Sequence, residues 1–385
     1  MGSSNDYDAI VLGVGAAGSA ATYHLAKQDV SVIGIDQFGV PNGRGSSRGY
    51  TRVINPALRE KAQYVDITER ALKLWSELQE THPNDLFSQT GALRGWAGPD
   101  YSGVRNSFDE AVDLCEETGL AYEIFNHREI TQQFPGYEPG SDTKFLYQPD
   151  GGLLDPQECI IAHMNQAHAN GAEIRAHEHV DAWKPTKDGV RVQTEKGEYE
   201  ADQLVVTAGP WISEVLEETV DVRPTREVMG WFRPKDPSNF TKSNFPTFGW
   251  DTENGYFYGT PAHRINGVKI GGGFFEEVQP VDPGQVDLTV TREEEEVLQQ
   301  FVDKHFSESV QSTLKLDACM TTTPEDSQFI MDTHPEYDNV HIAGGFSGSG
   351  FMTSSAVGEL TAERVITGRT DLDLEPFRIE RLSSN

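Results

Sequence analysis

Residues 8 to 36 read DAIVLGVGAAGSAATYHLAKQDVSVIGID, and this stretch decides the fold of the first part of the chain. An apolar run ends in the glycine-rich turn Gly13-Val14-Gly15-Ala16-Ala17-Gly18, and a helical segment follows it. A second apolar run then closes at Asp36. This order of elements is typical of the first strand–helix–strand unit of a doubly wound α/β sheet.

The glycines and the acid of this unit predict a ligand. Gly13 allows the tight turn, Gly15 lets the backbone approach a pyrophosphate, and Gly18 lets the helix pack closely on the strand. The helix N-terminus offers free N–H groups and a positive dipole end to phosphates. Asp36 follows Gly13 by 23 residues, a spacing that suits hydrogen bonds to an adenosine ribose. We therefore predict a dinucleotide here; the alternative is a glycine-rich turn that binds nothing.

The composition limits the partners of the protein. Its 385 residues include 31 Lys and Arg against 61 Asp and Glu, a formal net charge of −30. This charge argues against binding to nucleic acid or to an anionic membrane, because both need a basic surface. Concentrated salt screens the self-repulsion of such an acidic shell. We therefore predict a high-salt cytoplasm; the alternative is an acidic enzyme of an ordinary cytoplasm.

Other sequence features predict a soluble protein without a metal site. No segment approaches the ~20 apolar residues of a membrane span, and no basic and apolar signal sequence is evident at the N-terminus. The cysteines Cys115, Cys159 and Cys319 are too few and too irregularly spaced for a disulfide framework. His177 and His179 share one face of a predicted strand, but no third metal ligand accompanies them.

The apolar periodicity predicts the elements of the remaining chain. Helical patterns cover residues 59–80, 104–119, 155–170 and 291–306. Three apolar runs between residues 173 and 207 predict strands, and residues 222–285 predict an antiparallel sheet. A late strand, a glycine-rich loop and a helix at about 353–367 predict that the C-terminal segment returns to the N-terminal unit.

Six segments of the chain, in order, resemble the monomeric sarcosine oxidase and N-methyltryptophan oxidase family of FAD-dependent amine oxidases. These segments are GVGAAGSAATYHLA, GSSRGYTRVI, GYFYGTP, GVKIGGGF, ACMTTTPEDSQFIMD and DTHPEYDNVHIAGGFSGSGF. The resemblance covers nearly the whole chain and implies FAD as the cofactor. With the predicted elements it indicates an α/β (α+β) fold, in which a Rossmann-type FAD-binding domain is interleaved with an antiparallel-sheet substrate domain. We expect residues 1–85, 145–220 and 315–385 in the former and 86–144 and 221–314 in the latter.

The resemblance also implies which residues hold the flavin. In the family the flavin is joined to a cysteine thioether, and Cys319 lies at that position. A thiolate held beside the ring can attack the 8-methyl carbon of oxidised flavin, although a free cysteine is more often a small core residue. The other cofactor-binding residues implied are Gly13, Gly15, Ala17, Gly18, Asp36, Gln37, Ser47, Arg52, Val180, Gly348, Gly350, Phe351 and Met352.

Three residues match catalytic positions of the family. Lys269 matches the Lys that activates dioxygen, where a fixed positive charge stabilises the developing anion. Arg52 matches the Arg whose planar cation lies beside the flavin ring. Tyr258 matches a Tyr that lines the substrate pocket. The alternative is a surface Lys that alternates out of a strand, an unusual choice between Val268 and Ile270 in a chain that is poor in Lys.

The chain departs from the family at the substrate. The family positions that hold a carboxylate, an Arg and a Lys, are Asn55 and Met352 here, and the two family His positions of the pocket are Gly273 and Arg48. Loss of both cations removes the bidentate recognition that a carboxylate needs. Either the substrate is an amine without a carboxylate at this position, or Arg48 binds the carboxylate from another direction.

These observations predict an oxidase. The expected reaction converts a secondary N-alkyl amine or amino acid to an imine and reduces O2 to H2O2, in a monomer or small homo-oligomer. The alternatives are a dehydrogenase of the same fold that uses another electron acceptor, and a flavin-binding subunit without turnover.

Overall fold

The computed structural model describes residues 6–59, 61–98, 106–216, 219–273 and 279–383. The strands are β1 Tyr7–Leu12, β2 Val32–Asp36, β3 Arg52–Ile54, β4 Phe87–Ser88, β5 Ala92–Ala97, β6 Glu123–Asn126, β7 Thr143–Gln148, β8 Gly152–Leu154, β9 Glu173–Ala176, β10 Val180–Pro185, β11 Val190–Thr194, β12 Gly197–Val206, β13 Val222–Pro234, β14 Thr247–Thr252, β15 Gly255–Thr260, β16 Val268–Gly272, β17 Val310–Pro324, β18 Ile330–His334 and β19 Tyr337–Gly344. The α-helices are α1 Ala16–Ala26, α2 Ala62–Gln79, α3 Phe108–Thr118, α4 His127–Gln133, α5 Pro156–Ala169, α6 Ile212–Val215, α7 Arg292–His305 and α8 Gly350–Thr367. Short 3₁₀ helices span Gly209–Trp211, Pro237–Phe240, Glu375–Phe377 and Ile379–Ser383.

The first sheet contains the unit that the opening stretch predicts. Its central strands run in the order β9-β2-β1-β12-β19 and are parallel, and β18 joins β19 as an antiparallel edge. The hairpin β10-β11 pairs with the first half of β12. Every residue of β2 is buried, as expected for a parallel strand covered on both faces. The prediction of an α/β unit at residues 8–36 is confirmed.

The C-terminal helix packs on the first helix, which confirms the predicted return of the chain. Helix α1 consists almost entirely of small buried residues. A Cβ atom added to Gly358 of α8 would lie 2.4 Å from the Cβ atom of Ala20 in α1. The two helices therefore approach each other more closely than larger side chains would permit.

The second sheet runs β17-β13-β16-β15-β14-β5-β7-β6. It is antiparallel except for the β14–β5 pair. Helix α7 covers one of its faces, with Leu298, Phe301 and Val302 buried, and the Phe301 ring stacks on that of Phe257 at 4.0 Å. A small third sheet, β3-β8-β4, accompanies these two.

The structure differs from the sequence-based expectations in the domain assignment of two strands and in the number of strands after residue 173. The chain from residue 315 was assigned to the cofactor domain, but β17 belongs to the second sheet, because it pairs with β13 from Val310 to Pro324. Strand β7, most of which lies within the 145–220 segment assigned to the same domain, pairs with β5 and β6 of the second sheet. The first of the three apolar runs after residue 173 is divided into β9 and β10 at residues 177–179.

The helices predicted from periodicity are confirmed as α2, α3, α5 and α7, with ends shifted by a few residues. Residues 60, 104–105 and 274–278 of the predicted elements, with the first five residues of the chain, lie outside the described residues. None of the helices in the described ranges is long and apolar enough to cross a bilayer.

Candidate active site

A cavity of about 810 Å³ lies between the two large sheets. The first sheet contributes the Gly13 turn and Asp36 to its lining. The second sheet contributes Lys269 and Cys319. The site residues predicted from the sequence are thereby brought together from distant parts of the chain. Those that line the cavity are Gly13, Gly15, Ala17, Asp36, Gln37, Ser47, Arg52, Val180, Tyr258, Lys269, Gly273, Cys319, Gly348, Gly350, Phe351 and Met352.

The glycine turn has the geometry that its sequence predicts. Gly13 has a φ of +87°, a left-handed conformation that favours glycine. A Cβ atom added to Gly15 would meet no protein atom within 4 Å, so this backbone faces the open cavity. A Cβ atom on Gly18 would lie 1.9 Å from the Gly13 carbonyl oxygen. Gly18 does not line the cavity; its role is the close packing of α1 on the turn.

The N-terminus of α1 is free to receive an anion. No side chain caps Gly15, and the first turn of the helix holds no acidic residue. The N–H groups of this first turn are therefore not used by a side-chain cap or opposed by an acidic residue within the turn. This is the arrangement that binds phosphate at helix N-termini.

Asp36 is held at the cavity wall by the backbone. Its Oδ2 accepts a hydrogen bond from the Val14 N–H at 2.9 Å, and its Oδ1 accepts one from the Phe38 N–H at 2.8 Å. Burial raises the pKa of this carboxyl group, and the two backbone donors oppose that shift. The carboxylate is thus fixed in the orientation that a ribose hydroxyl requires.

The start of α8 and the loop before it also line the cavity. Met352 is buried, and its carbonyl oxygen accepts a hydrogen bond from the Trp75 Nε1 at 3.1 Å. The Trp75 and Phe351 rings are parallel, with centroids 6.3 Å apart. These contacts fix the start of α8 beside the Gly13 turn.

Lys269 is a buried cation at the centre of the second sheet. Only 2% of its surface is exposed, and its Nζ lies 5.4 Å from the centroid of the Tyr258 ring. Burial, followed by the positive charge of Arg52, lowers its pKa from 10.5 to about 7. Near neutral pH this side chain can therefore change its charge, which an exposed lysine cannot.

Arg52 organises the loop between residues 43 and 52. Its guanidinium donates hydrogen bonds to the carbonyl oxygens of Ser46 (2.8 Å), Arg48 (2.6 Å) and Thr51 (2.8 Å). Its Cζ atom lies 5.9 Å from the Phe351 ring centroid. Three of the five N–H donors of the guanidinium are thus used by the backbone, which fixes the orientation of the planar cation at the cavity wall.

Cys319 lies on β17 directly opposite Glu227 of β13. It is 7% exposed and packs with Met229 and Trp231. Burial raises the pKa of its thiol, while the positive charge of Arg52 lowers it. Burial, followed by the charge of Glu227, raises the pKa of Tyr258 well above its ordinary value.

Two residues predicted to contact substrate do not line the cavity. The Arg48 Nε donates to the Asp317 Oδ1 at 2.7 Å, and its NH1 group donates to the Gly43 carbonyl oxygen at 3.0 Å. Asn55 is 1% exposed, and its Oδ1 accepts a hydrogen bond from the Ala57 N–H at 3.1 Å, which closes the turn after β3. Both side chains are held by the surrounding structure and not in the cavity lining, and their contact with substrate stays a prediction.

Sequence analysis missed several cavity residues on the second sheet, above all Glu227. The others lie on the same strands or beside Tyr258, and include Thr225, Tyr256, Thr321 and Thr323. Because side chains alternate between the two faces of a strand, residues 225 and 227 share one face of β13, and residues 319, 321 and 323 share one face of β17. This alternation is the sequence signal that could have identified them. Their common face becomes evident only once the register between the two strands is known.

The comparisons with known proteins agree with this geometry. The family model described as "FAD dependent oxidoreductase", abbreviated DAO, matches residues 8–364. Monomeric sarcosine oxidase of Bacillus sp. (strain NS-129) is 34% identical over 98% of this chain and 97% of its own length. N-methyl-L-tryptophan oxidase of Escherichia coli O139:H28 is 30% identical over 97% of this chain and 99% of its own length.

Solved structures show the same fold. L-proline dehydrogenase from P. horikoshii superposes with a TM-score of 0.86 at 22% identity, covering 98% of each chain. NikD, an unusual amino acid oxidase, superposes in its open form with a TM-score of 0.84 at 22% identity, covering 97% of each chain. The match of the family model over most of the chain, with the two full-length relatives, shows that this protein belongs to the DAO family of FAD-dependent oxidoreductases.

Proposed function

We propose that this FAD-dependent oxidoreductase is an amine oxidase that converts a secondary N-alkyl amine to an imine and reduces O2 to H2O2. The observation that carries the proposal is the buried Lys269 in the lining of the cavity that also contains the Gly13 turn. Its Nζ donates a hydrogen bond to the backbone carbonyl oxygen of Thr51, a neutral acceptor that does not itself require a cation. Its chemistry suits the stabilisation of negative charge in the cavity.

The described residues fit FAD. The open backbone at Gly15 and the free N-terminus of α1 suit the pyrophosphate, and Asp36 suits the adenosine ribose. The cavity continues from this turn to Arg52 and Cys319, which suits a molecule that is long and ends in a ring. When bound, the flavin accepts two electrons and a hydrogen from the carbon next to the amine.

The protein's own residues then hold charge and exclude water. The cationic face of Arg52 stabilises negative charge on the ring. Lys269, when protonated, provides the positive charge where dioxygen is reduced. The Tyr258 ring lies 5.4 Å from the Lys269 Nζ, a distance at which its π face can interact with the cation. Each of these roles is an electrostatic contribution from a group that is fixed before the substrate binds.

We also propose that Cys319 forms the covalent link to the flavin. The thiol lies in the cavity wall, and the positive charges of Arg52 and Lys269 lower its pKa against the effect of burial. Such charges favour the thiolate that would attack the ring methyl group. The thiol would lose its proton and supply the electron pair of the new C–S bond, the ring methyl carbon would lose one proton, and the flavin, left reduced by two electrons, would be reoxidised by O2 to give H2O2.

The names of the full-length relatives support a small N-methylated substrate. Met352 and Gly273 line the cavity at positions where the family has a Lys and a His, so neither position provides a cation here. We therefore propose an amine that lacks a carboxylate at this wall. The net charge of −30 supports a high-salt cytoplasm as the setting, for a monomer or small homo-oligomer with interleaved cofactor and substrate domains.

The test is the anaerobic bleaching of the flavin absorbance by a panel of amines, with and without carboxylates, in concentrated KCl. Admission of O2 should then restore the absorbance and release H2O2 in equal amount. Bleaching without rapid recovery would favour a dehydrogenase instead. No bleaching by any member of the panel would contradict the proposal and favour a subunit without turnover.

A further inference from the structure

Arg59 is a buried cation that lies directly behind the wall of the cavity. Only 3% of its surface is exposed, and its side chain does not line the cavity, although its neighbour Leu58 does. Its Cζ atom lies 5.0 Å from the centroid of the Tyr64 ring and 5.3 Å from that of the Phe329 ring. Because burial of a charged side chain is costly unless its surroundings compensate, the contacts of Arg59 indicate what its charge stabilises.

These contacts converge on residues 345–349, the loop that joins β19 to α8. The Arg59 Nε donates a hydrogen bond to the Ser349 Oγ at 3.2 Å. Its Nη2 donates to the carbonyl oxygens of Phe346 at 3.4 Å and Ser347 at 3.2 Å. All three of these loop residues line the cavity. One buried cation therefore holds a part of the cavity wall that is almost 300 residues away in the chain.

The loop has a backbone conformation that needs such support. Gly345, Ser347 and Gly348 have φ values of +61°, +47° and +78°. A residue other than glycine in this left-handed region is strained, and it persists where the surrounding structure determines its conformation. The Ser347 N–H donates to the Thr322 carbonyl oxygen at 2.9 Å, and its own carbonyl oxygen accepts from Arg59. Arg59 thus provides one of the two hydrogen bonds that fix the strained residue.

The loop lies close to the proposed position of the flavin ring. Thr322, to which Ser347 is bonded, follows Cys319 by three residues on β17, and both residues line the cavity. Cys319 is the proposed point of attachment of the ring. Since only the Ser349 side chain separates the Arg59 Nε from the cavity lining at this point, the cation can stabilise negative charge on a bound ring.

We propose that Arg59 is a positioning residue of the flavin site. Its hydrogen bonds hold the loop of residues 345–349 in place, and its charge, acting from behind this loop, favours the reduced form of the bound flavin. Reduction adds negative charge to the ring, so a fixed positive charge nearby raises the reduction potential. This inference rests on the proposed position of the flavin ring and adds a residue that controls its potential without contact with flavin or substrate.

The first test measures the flavin reduction potential of the holoenzyme against a reference dye, without amine or O2. Arg59→Gln removes the charge but keeps an N–H donor. We expect its equilibrium to shift about tenfold toward oxidised flavin, which is about 30 mV for a two-electron couple. Arg59→Lys keeps the charge, so it should remain within about threefold of the wild type.

Arg364→Gln is the matched control for the loss of a buried arginine. Arg364 also donates to a backbone carbonyl oxygen, that of Met331 at 3.2 Å, but it lies in the last turn of α8, at the far end from the loop. Its replacement removes the same charge and a similar hydrogen bond. We expect the flavin potential of this variant to stay within about twofold of the wild-type equilibrium.

The second test follows the loop itself by hydrogen exchange and mass spectrometry of the same oxidised holoenzymes. Neither Gln nor Lys reproduces the planar set of donors of a guanidinium. Peptides that cover residues 345–349 should therefore exchange at least about threefold faster in both Arg59 variants, and at the wild-type rate in Arg364→Gln. Arg59→Lys guards against a folding defect, because it keeps the buried charge.

Three outcomes would overturn the inference. They are a flavin potential of Arg59→Gln equal to that of the wild type, an equal shift in Arg59→Lys or Arg364→Gln, and unchanged loop exchange in both Arg59 variants. Loss of flavin from Arg59→Gln alone among the three variants would support it. Neither measurement needs an amine or O2, so a wild-type enzyme that oxidises no amine would contradict the proposed function and leave the role of Arg59 to these tests.

Discussion

The Lys269 Nζ donates a hydrogen bond to the carbonyl oxygen of Thr51 at 3.1 Å. Thr51 precedes Arg52, and its hydroxyl group bonds to that of Thr260 on β15, the strand beside Lys269. Lys269 is therefore hydrogen-bonded to the residue that precedes Arg52, so one hydrogen-bond network includes both cations of the candidate active site. A change at Lys269 should alter the charge of the site with little change in the position of Arg52.

Replacement of Lys269 by Met should slow the reoxidation of the reduced flavin by O2. We expect a decrease of about 10²-fold or more, the size of a preorganised electrostatic contribution, and a much smaller change in flavin reduction by substrate. Stopped-flow absorbance measures the two half-reactions separately. Lys184→Met, at an exposed position of β10, is the control, and equal slowing of both half-reactions would contradict the assigned role.

The same variant should be more stable than the wild type in acid. Because the pKa of Lys269 is about 7 in the folded protein and 10.5 ordinarily, the unfolded state binds more protons between these values and stability rises with pH there. The lysine should thus lower the free energy of unfolding by on the order of 4 kcal/mol below pH 7 and by about 2 kcal/mol at pH 9. Urea unfolding with excess FAD measures this difference, which should shrink from pH 6 to pH 9; a constant difference would refute it.

Two glycines of one turn should respond differently to Ala. At Gly18 the added methyl group would lie 1.9 Å from the Gly13 carbonyl oxygen, so we expect a loss of roughly 2 kcal/mol or more in the free energy of unfolding. At Gly15 the methyl group meets no protein atom and should leave the stability of the apoprotein unchanged. It should weaken FAD binding instead. Urea unfolding and flavin titration separate the two effects, and equal stability of the two variants would contradict the packing role of Gly18.

Replacement of Cys319 by Ser should convert covalent flavin to dissociable flavin. After denaturation and filtration, we expect the flavin to remain with the wild-type chain and to pass through with the variant. Cys115→Ala is the control, because Cys115 is buried in a different cluster. Flavin that stays with the denatured Cys319→Ser chain would place the link elsewhere.

Local patterns predicted the strand–helix–strand unit and the turn that contains Gly13 and Gly15. The roles of Gly13, Gly15 and Asp36 depend on a turn and two strands within 30 residues, where the chemistry of each residue type limits the backbone. The helices were likewise evident from their own periodicity. Such features need no knowledge of distant contacts, and the structure confirms the strand–helix–strand unit.

Pairings between distant segments were not predictable in this way. Arg48 was expected to face the substrate, but its partner Asp317 lies 269 residues further along the chain. The face of Glu227 depends on the register of β13 with β17, which no local pattern reveals. The same long-range pairing places β17 in the second sheet, whereas the sequence suggested the cofactor domain for most of this strand. Errors therefore arose where an interaction between distant residues decided the position of a side chain.

The contact of α1 with α8 has a consequence for biosynthesis. The cavity is lined both by Gly13 and Gly15 and by Gly348 and Gly350, which are synthesised more than 300 residues later. A nascent chain that lacks α8 has only half of the site, and α1 is then without the helix that covers it. The flavin is therefore captured only after α8 has been synthesised, so a chain truncated before α8 should accumulate without colour even when riboflavin is plentiful.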